Sequence, residues 1–182
     1  EYSTSDLYRF LCTLDLSELA TATDFSSMFS ANYYLTNVPL FNTSSATTTM
    51  SMFANCIALM SVPQFSLSSC TNASMMFYNC NALTAAPLQN TGNVTNMKQM
   101  FYKCTSMTTA PSLDMGSVTS HAYMFQNCPA LRTVPQYNMI NCEDCGAMFN
   151  GCSSLVTLPV FNYSKVTSFG SLLSSTKMYN DC

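Results

Sequence analysis

Apolar residues recur along this chain with a period of 24 residues. The pair Met-Phe stands at Met28-Phe29, Met52-Phe53, Met76-Phe77, Met100-Phe101, Met124-Phe125 and Met148-Phe149, with no insertion between copies. One further step lands on Leu172-Leu173, and one step back from the first lands on Thr4-Ser5. A cysteine follows three residues after the Phe at Cys56, Cys80, Cys104, Cys128 and Cys152. A long apolar residue comes next at Leu35, Leu59, Leu83, Met107, Leu131 and Leu155, and then a proline at Pro39, Pro63, Pro87, Pro111, Pro135 and Pro159. Two positions after the proline stand Phe41, Phe65, Leu113, Tyr137 and Phe161, with Gln89 breaking the column. A repeat of this length is the signature of a solenoid, in which each unit buries its apolar face only against its neighbours.

Each unit divides into two halves. Val94, Met97, Met100, Phe101, Cys104 and Met107 are spaced as one face of a helix, which predicts a short helix over about residues 94–104 and its equivalents. Ser69, Asn93, Ser117 and Asn141 precede the first apolar position, where an N-cap belongs. The other half, exemplified by residues 59–65, is short and interrupted by proline, which predicts a brief strand that pairs in parallel between coils. The chain therefore reads as one α/β solenoid of about seven coils, with short parallel strands on one face and short helices on the other. Residues 1–24 form a degenerate first coil, 25–168 six regular repeats, and 169–182 a degenerate or truncated last coil. Both ends fall inside a coil, and the expectation is a segment processed or excised from a longer chain.

Composition removes several function classes. Charged residues make up 8% of the chain, against roughly 25% in ordinary soluble domains. Ser, Thr and Asn supply the polarity instead. The net charge of −3 comes with no basic stripe, so nucleic acid is not an expected partner. No apolar run approaches the ~20 residues of a membrane span.

The unit resembles the BspA-type leucine-rich repeat. Cys104 to Cys128 carries the resemblance best, with Met107, Ala110-Pro111, Ser117-Val118-Thr119, Met124-Phe125 and the closing cysteine in the family's order. Asn93-Val94-Thr95-Asn96-Met97 followed by Met100-Phe101 matches equally well, and the likeness extends over about residues 11–173. The resemblance implies a right-handed solenoid. It also implies a non-enzymatic module of the kind found on bacterial and protist surfaces or encoded by phages. No catalytic residues and no cofactor carry over from the family.

Several residues invite chemistry. The five column cysteines would lie about 5 Å apart, within disulfide reach, but a free buried thiol explains a repeating column. Cys142-x-x-Cys145 has the spacing of half a zinc site. However, Cys142 shares a column with Val94 and Val118, and Cys145 shares one with Met97, so core packing is expected, as for Cys70. His121, the single histidine, shares the Met97 column and reads as a partly buried structural residue. Glu143-Asp144 sits where the first turn of a helix would favour negative charge. Sequons begin at Asn42, Asn72, Asn93 and Asn162. No metal site is expected.

Function in solenoids usually lies on the strand face. Its variable positions are Met60, Thr84, Thr108, Arg132 and Val156 in one column and Gln64, Leu88, Ser112, Gln136 and Val160 in another. Leu40 begins the second column, and Ser61, Ala85, Thr109 and Thr133 lie between the two. These ten residues are the candidate binding surface for a protein or glycan ligand. The leading expectation is an adhesion or protein-binding module at a cell surface or secreted. The alternative is a structural component of a larger assembly, such as a virion decoration or fibre.

Overall fold

The computed structural model describes residues 16–180. Thr4-Ser5, Cys12 and Cys182 lie outside that range. Within it the chain winds as a solenoid whose successive passes are joined by a parallel backbone ladder. One run of bridges links Asp24, Thr48, Asn72, Asn96, Ser120, Asp144 and Ser168 in sequence, tying seven successive passes together. On the proline side the pairing is patchier. Strands β1 (Phe65–Ser66) and β2 (Leu88–Gln89) pair in parallel, and single bridges join Ser61 to Ala85 and Thr109 to Thr133.

The helices expected over 94–104 and its equivalents do not form. Among the described residues the helical elements are two 3-10 turns, Ser17–Thr21 and Thr91–Asn93, and one short helix, α1 (Lys177–Asn180). The Met-Phe segment is a series of tight turns with alternating donors. The N–H groups of Phe25, Ser27, Phe29 and Ala31 donate to carbonyls of the next coil, at Thr48, Met50, Met52 and Ala54. Those of Met28, Ser30 and Asn32 donate three residues back in their own coil. An α-helix needs every N–H directed four residues back, so a segment that shares half its donors with a neighbour cannot be one. Two residues per coil reverse the chain at positive φ, as Gln99 and Lys103 do at 57° each. Inward residues in a chain of three-residue turns recur with nearly the same spacing as on a helix, and Val94, Met97, Met100, Phe101, Cys104 and Met107 are all fully buried.

Three of the four residues expected as N-caps have a different task. Asn93 and Asn141 donate their side-chain amides to the carbonyls of Ser68 and Gly116 in the preceding coil, and the Ser117 hydroxyl donates to Gly92. The turn is opened three residues later. There Asn72, Asn96 and Asp144 accept the backbone N–H two residues on, at Ser74, Lys98 and Gly146, in Asx turns. Glu143-Asp144 therefore opens a turn and does not complement a helix dipole.

The core is a set of columns. Phe29, Phe53, Phe77, Phe101, Phe125 and Phe149 stack face to face, with neighbouring centroids 5.3 to 5.8 Å apart. Beside them each column cysteine donates its S–H to the carbonyl of the Phe one coil earlier. Cys56 reaches Phe29, Cys80 reaches Phe53, Cys104 reaches Phe77, Cys128 reaches Phe101 and Cys152 reaches Phe125, at 3.0 to 3.2 Å. Burial pushes these thiols up, Cys56 to about 11 and Cys152 to about 12, which holds them as the protonated donor. All eight described cysteines are free and buried.

Phe101 has a ring on either side, Phe77 and Phe125. Phe101→Ala is expected to cost about 3–5 kcal/mol. In urea it should lower the midpoint of a single unfolding transition, because no coil holds its core alone. Two separated transitions, or an unchanged midpoint, would contradict coupling through the stack.

Candidate binding face

The proline side carries the ten candidate positions. Met60, Gln64, Thr84, Thr108, Ser112, Arg132, Gln136, Val156 and Val160 are exposed there. Leu88 is not: it is buried to 8% exposure, while Gln89 faces outward. The reversal has a local cause. The column that holds Phe41, Phe65, Leu113, Tyr137 and Phe161 has a polar Gln89 in this coil, and a glutamine in the core would leave its amide unsatisfied. The chain slips by one residue, placing Leu88 opposite Phe65 and Gln89 opposite Ser66. Asn90, at φ 57°, takes up the displacement before the 3-10 turn Thr91–Asn93.

The slip coincides with a break in the proline-side ladder. Thr84 donates its N–H to the Met60 carbonyl and Arg132 to that of Thr108, but no hydrogen bond crosses between residues 84–88 and 108–112. An open groove of about 540 Å3 lies along this seam, lined by Gln64, Thr84, Ala85, Ala86, Pro87, Leu88, Thr108, Thr109, Ala110, Pro111 and Ser112. A smaller one of about 380 Å3, bounded by Leu40, Phe41, Asn42, Thr43, Gln64 and Ser66, adjoins it through Gln64. Five of the ten candidates therefore meet in one groove. Met60, Arg132, Gln136, Val156 and Val160 do not line it. Exposed apolar side chains stand towards both ends of the face, Leu40 at 69% and Met60 at 49% on one side and Val156 at 48% and Val160 at 91% on the other. The groove walls carry no charged side chain.

The remaining candidates for chemistry lie in the core. Cys142 and Cys145 are fully buried, and the Cys145 thiol donates to the Ser168 carbonyl at 3.5 Å. The neighbouring Cys145 thiol, with burial, pushes the Cys142 thiol up. Among the described residues no three His, Cys, Asp or Glu side chains converge as metal ligands. His121, expected to be partly buried, is fully buried, as Met97 and Cys145 in its column are, and neither ring nitrogen has a hydrogen-bond partner. Burial lowers its pKa to about 4, against a small opposing pull from Asp144.

A leucine-rich repeat protein from Eubacterium ventriosum ATCC 27560, known from a crystal structure, superposes with a TM-score of 0.59 at 16% identity, over 83% of this chain and 39% of that one. This chain thus has the leucine-rich-repeat fold and spans well under half the length of that protein. The family described as "Mycoplasma protein of unknown function, DUF285" matches residues 9–112 and 86–182, and the chain belongs to it. No curated protein matches.

His121 makes stability depend on pH. Its folded pKa, about 4, lies below the ordinary 6.5, so between those values the unfolded chain binds a proton that the folded chain does not. The resulting loss of stability on acidification approaches 1.4 kcal/mol per pH unit within that window. Thermal melts of wild type and His121→Met from neutral pH to pH ~4.5 should show the wild type losing more. Parallel losses in the two proteins would show that His121 is not the titrating group.

Proposed function

We propose that this chain is a non-enzymatic protein-binding module of the BspA type, displayed at a cell surface. Its groove along residues 84–88 and 108–112 would receive an extended, uncharged segment of a partner protein. The observation that carries this reading is the seam itself, where one sheet-like face is interrupted and small side chains leave room beside main chain that no neighbouring coil occupies. An extended peptide can use such main-chain groups for affinity and the pockets between side chains for specificity. The uncharged walls favour an uncharged segment, and Leu40, Met60, Val156 and Val160 offer apolar contacts beyond the groove.

Selection of displayed peptides on the wild-type protein, followed by titration against Ala85→Arg, tests the reading. Ala85 is exposed and lines the groove, so the arginine should fill it without disturbing the core. Affinity for selected peptides is expected to fall by about ten-fold or more, or ~1.4 kcal/mol. Peptides that bind Ala85→Arg equally well would place recognition elsewhere. The exposed apolar side chains also support a second reading, a subunit of a larger assembly. Size measured by light scattering separates the two: a wild type that self-associates, and a Val160→Glu variant that does not, would favour the assembly.

A further inference from the structure

The turn side of the solenoid holds a third groove, of different chemistry. It measures about 450 Å3 and is lined by Asn79, Asn81, Lys103, Thr105, Asn127, Pro129 and Gly151. Asn79, Lys103, Asn127 and Gly151 occupy the same position in successive coils, and all have positive φ. Asparagine and glycine suit that conformation better than lysine, although Ala31, Met75, Gln99 and Tyr123 adopt it in this fold as well. No carboxylate pairs with Lys103 among the described residues. Its ammonium lies 5.6 Å from the centroid of Tyr102, which stacks on Tyr78 at 4.8 Å. The Asn127 side-chain amide has no hydrogen-bond partner among the described residues, and its oxygen lies 2.5 Å from where a Cβ on Gly151 would stand. Glycine at that position leaves the amide its space.

We propose that this groove binds an anionic saccharide, with Lys103 meeting the carboxylate or sulfate and the Asn127 side chain meeting a hydroxyl beside it, while Asn79 and Thr105, which donate to Asn55 and to the Asn81 carbonyl, accept from hydroxyls on either side. Parallel coils lie about 4.8 Å apart, so the span from Asn79 through Lys103 to Asn127 is roughly 10 Å, long enough for more than one sugar ring. Pro129 supplies apolar surface against which the C–H face of a sugar packs. A small inorganic anion would engage only the lysine and leave the amides unused. In a chain of net charge −3 with so few cations, an unpaired lysine in a polar groove selects for negative charge.

Calorimetric titration with sialyllactose, sulfated lactose and plain lactose tests this. At low salt one or both anionic sugars should bind at least ten-fold more tightly than lactose, and which one binds identifies the anion that is read. Raised salt should weaken the binding. Lys103→Asn places the residue that its column favours, so the fold should melt no lower than wild type, while affinity falls at least ten-fold. Gly151→Ala, which displaces the Asn127 amide, should weaken binding, and Lys165→Met should not. The proposal is overturned if neither anionic sugar binds or lactose binds equally well. Unchanged affinity in Lys103→Asn, or inorganic sulfate competing as well as the sugar, would overturn it too.

Discussion

Each coil of this protein borrows its backbone partners from the next. In the Met-Phe segment alternate N–H groups leave their own turn and end on carbonyls of the following coil, and the ladder through Asp24, Thr48 and Asn72 continues the pattern to Ser168. A buried N–H without an acceptor is costly, so a coil of this shape is stable only when the next coil lies in register against it. The aromatic stack obeys the same condition, since each Phe ring is covered by the rings above and below. Repeat length is therefore the quantity that tolerates least change. One inserted residue would misalign both the donors and the rings of every later coil unless it were absorbed at once.

Two features follow from that constraint. The column cysteine combines small volume with a donor and reaches the Phe carbonyl one coil earlier, which an alanine or valine of similar size cannot do. Its constancy thus has a packing and hydrogen-bonding cause that needs no redox partner. The other feature is the slip at Leu88 and Gln89. The chain tolerates a one-residue error there because Asn90 adopts a left-handed conformation and returns the backbone to register before the next ladder position. An unpaired seam lies beside the slipped coil on the proline side, and the groove proposed for a partner runs along it.

The two sides of the solenoid differ in what they expose. The proline side offers uncharged walls and exposed Leu40, Met60, Val156 and Val160. The turn side carries Lys98 over Tyr123 and Lys103 over Tyr102, cations held against rings. A scaffold in which every inward position is committed to stacking leaves only outward positions free to vary, and the chemistry of each side is written in them.

The period, the inward columns and the exposure of nine of the ten candidate positions were legible in the sequence, because burial is a pattern along the chain that packing must respect. The structural roles of Cys56 to Cys152, and of Cys142 and Cys145, could be read from their columns for the same reason. Helices were expected where turns stand, because inward spacing is nearly the same in both and the difference lies in where each N–H is directed. That direction is a non-local choice: Phe25 donates to Thr48 only because another coil is there. The burial of Leu88 was hidden in the same way, although the break at Gln89 was visible, since the slip depends on Phe65 in the neighbouring coil. That neither nitrogen of the His121 ring meets a hydrogen-bond partner is likewise a matter of tertiary contact.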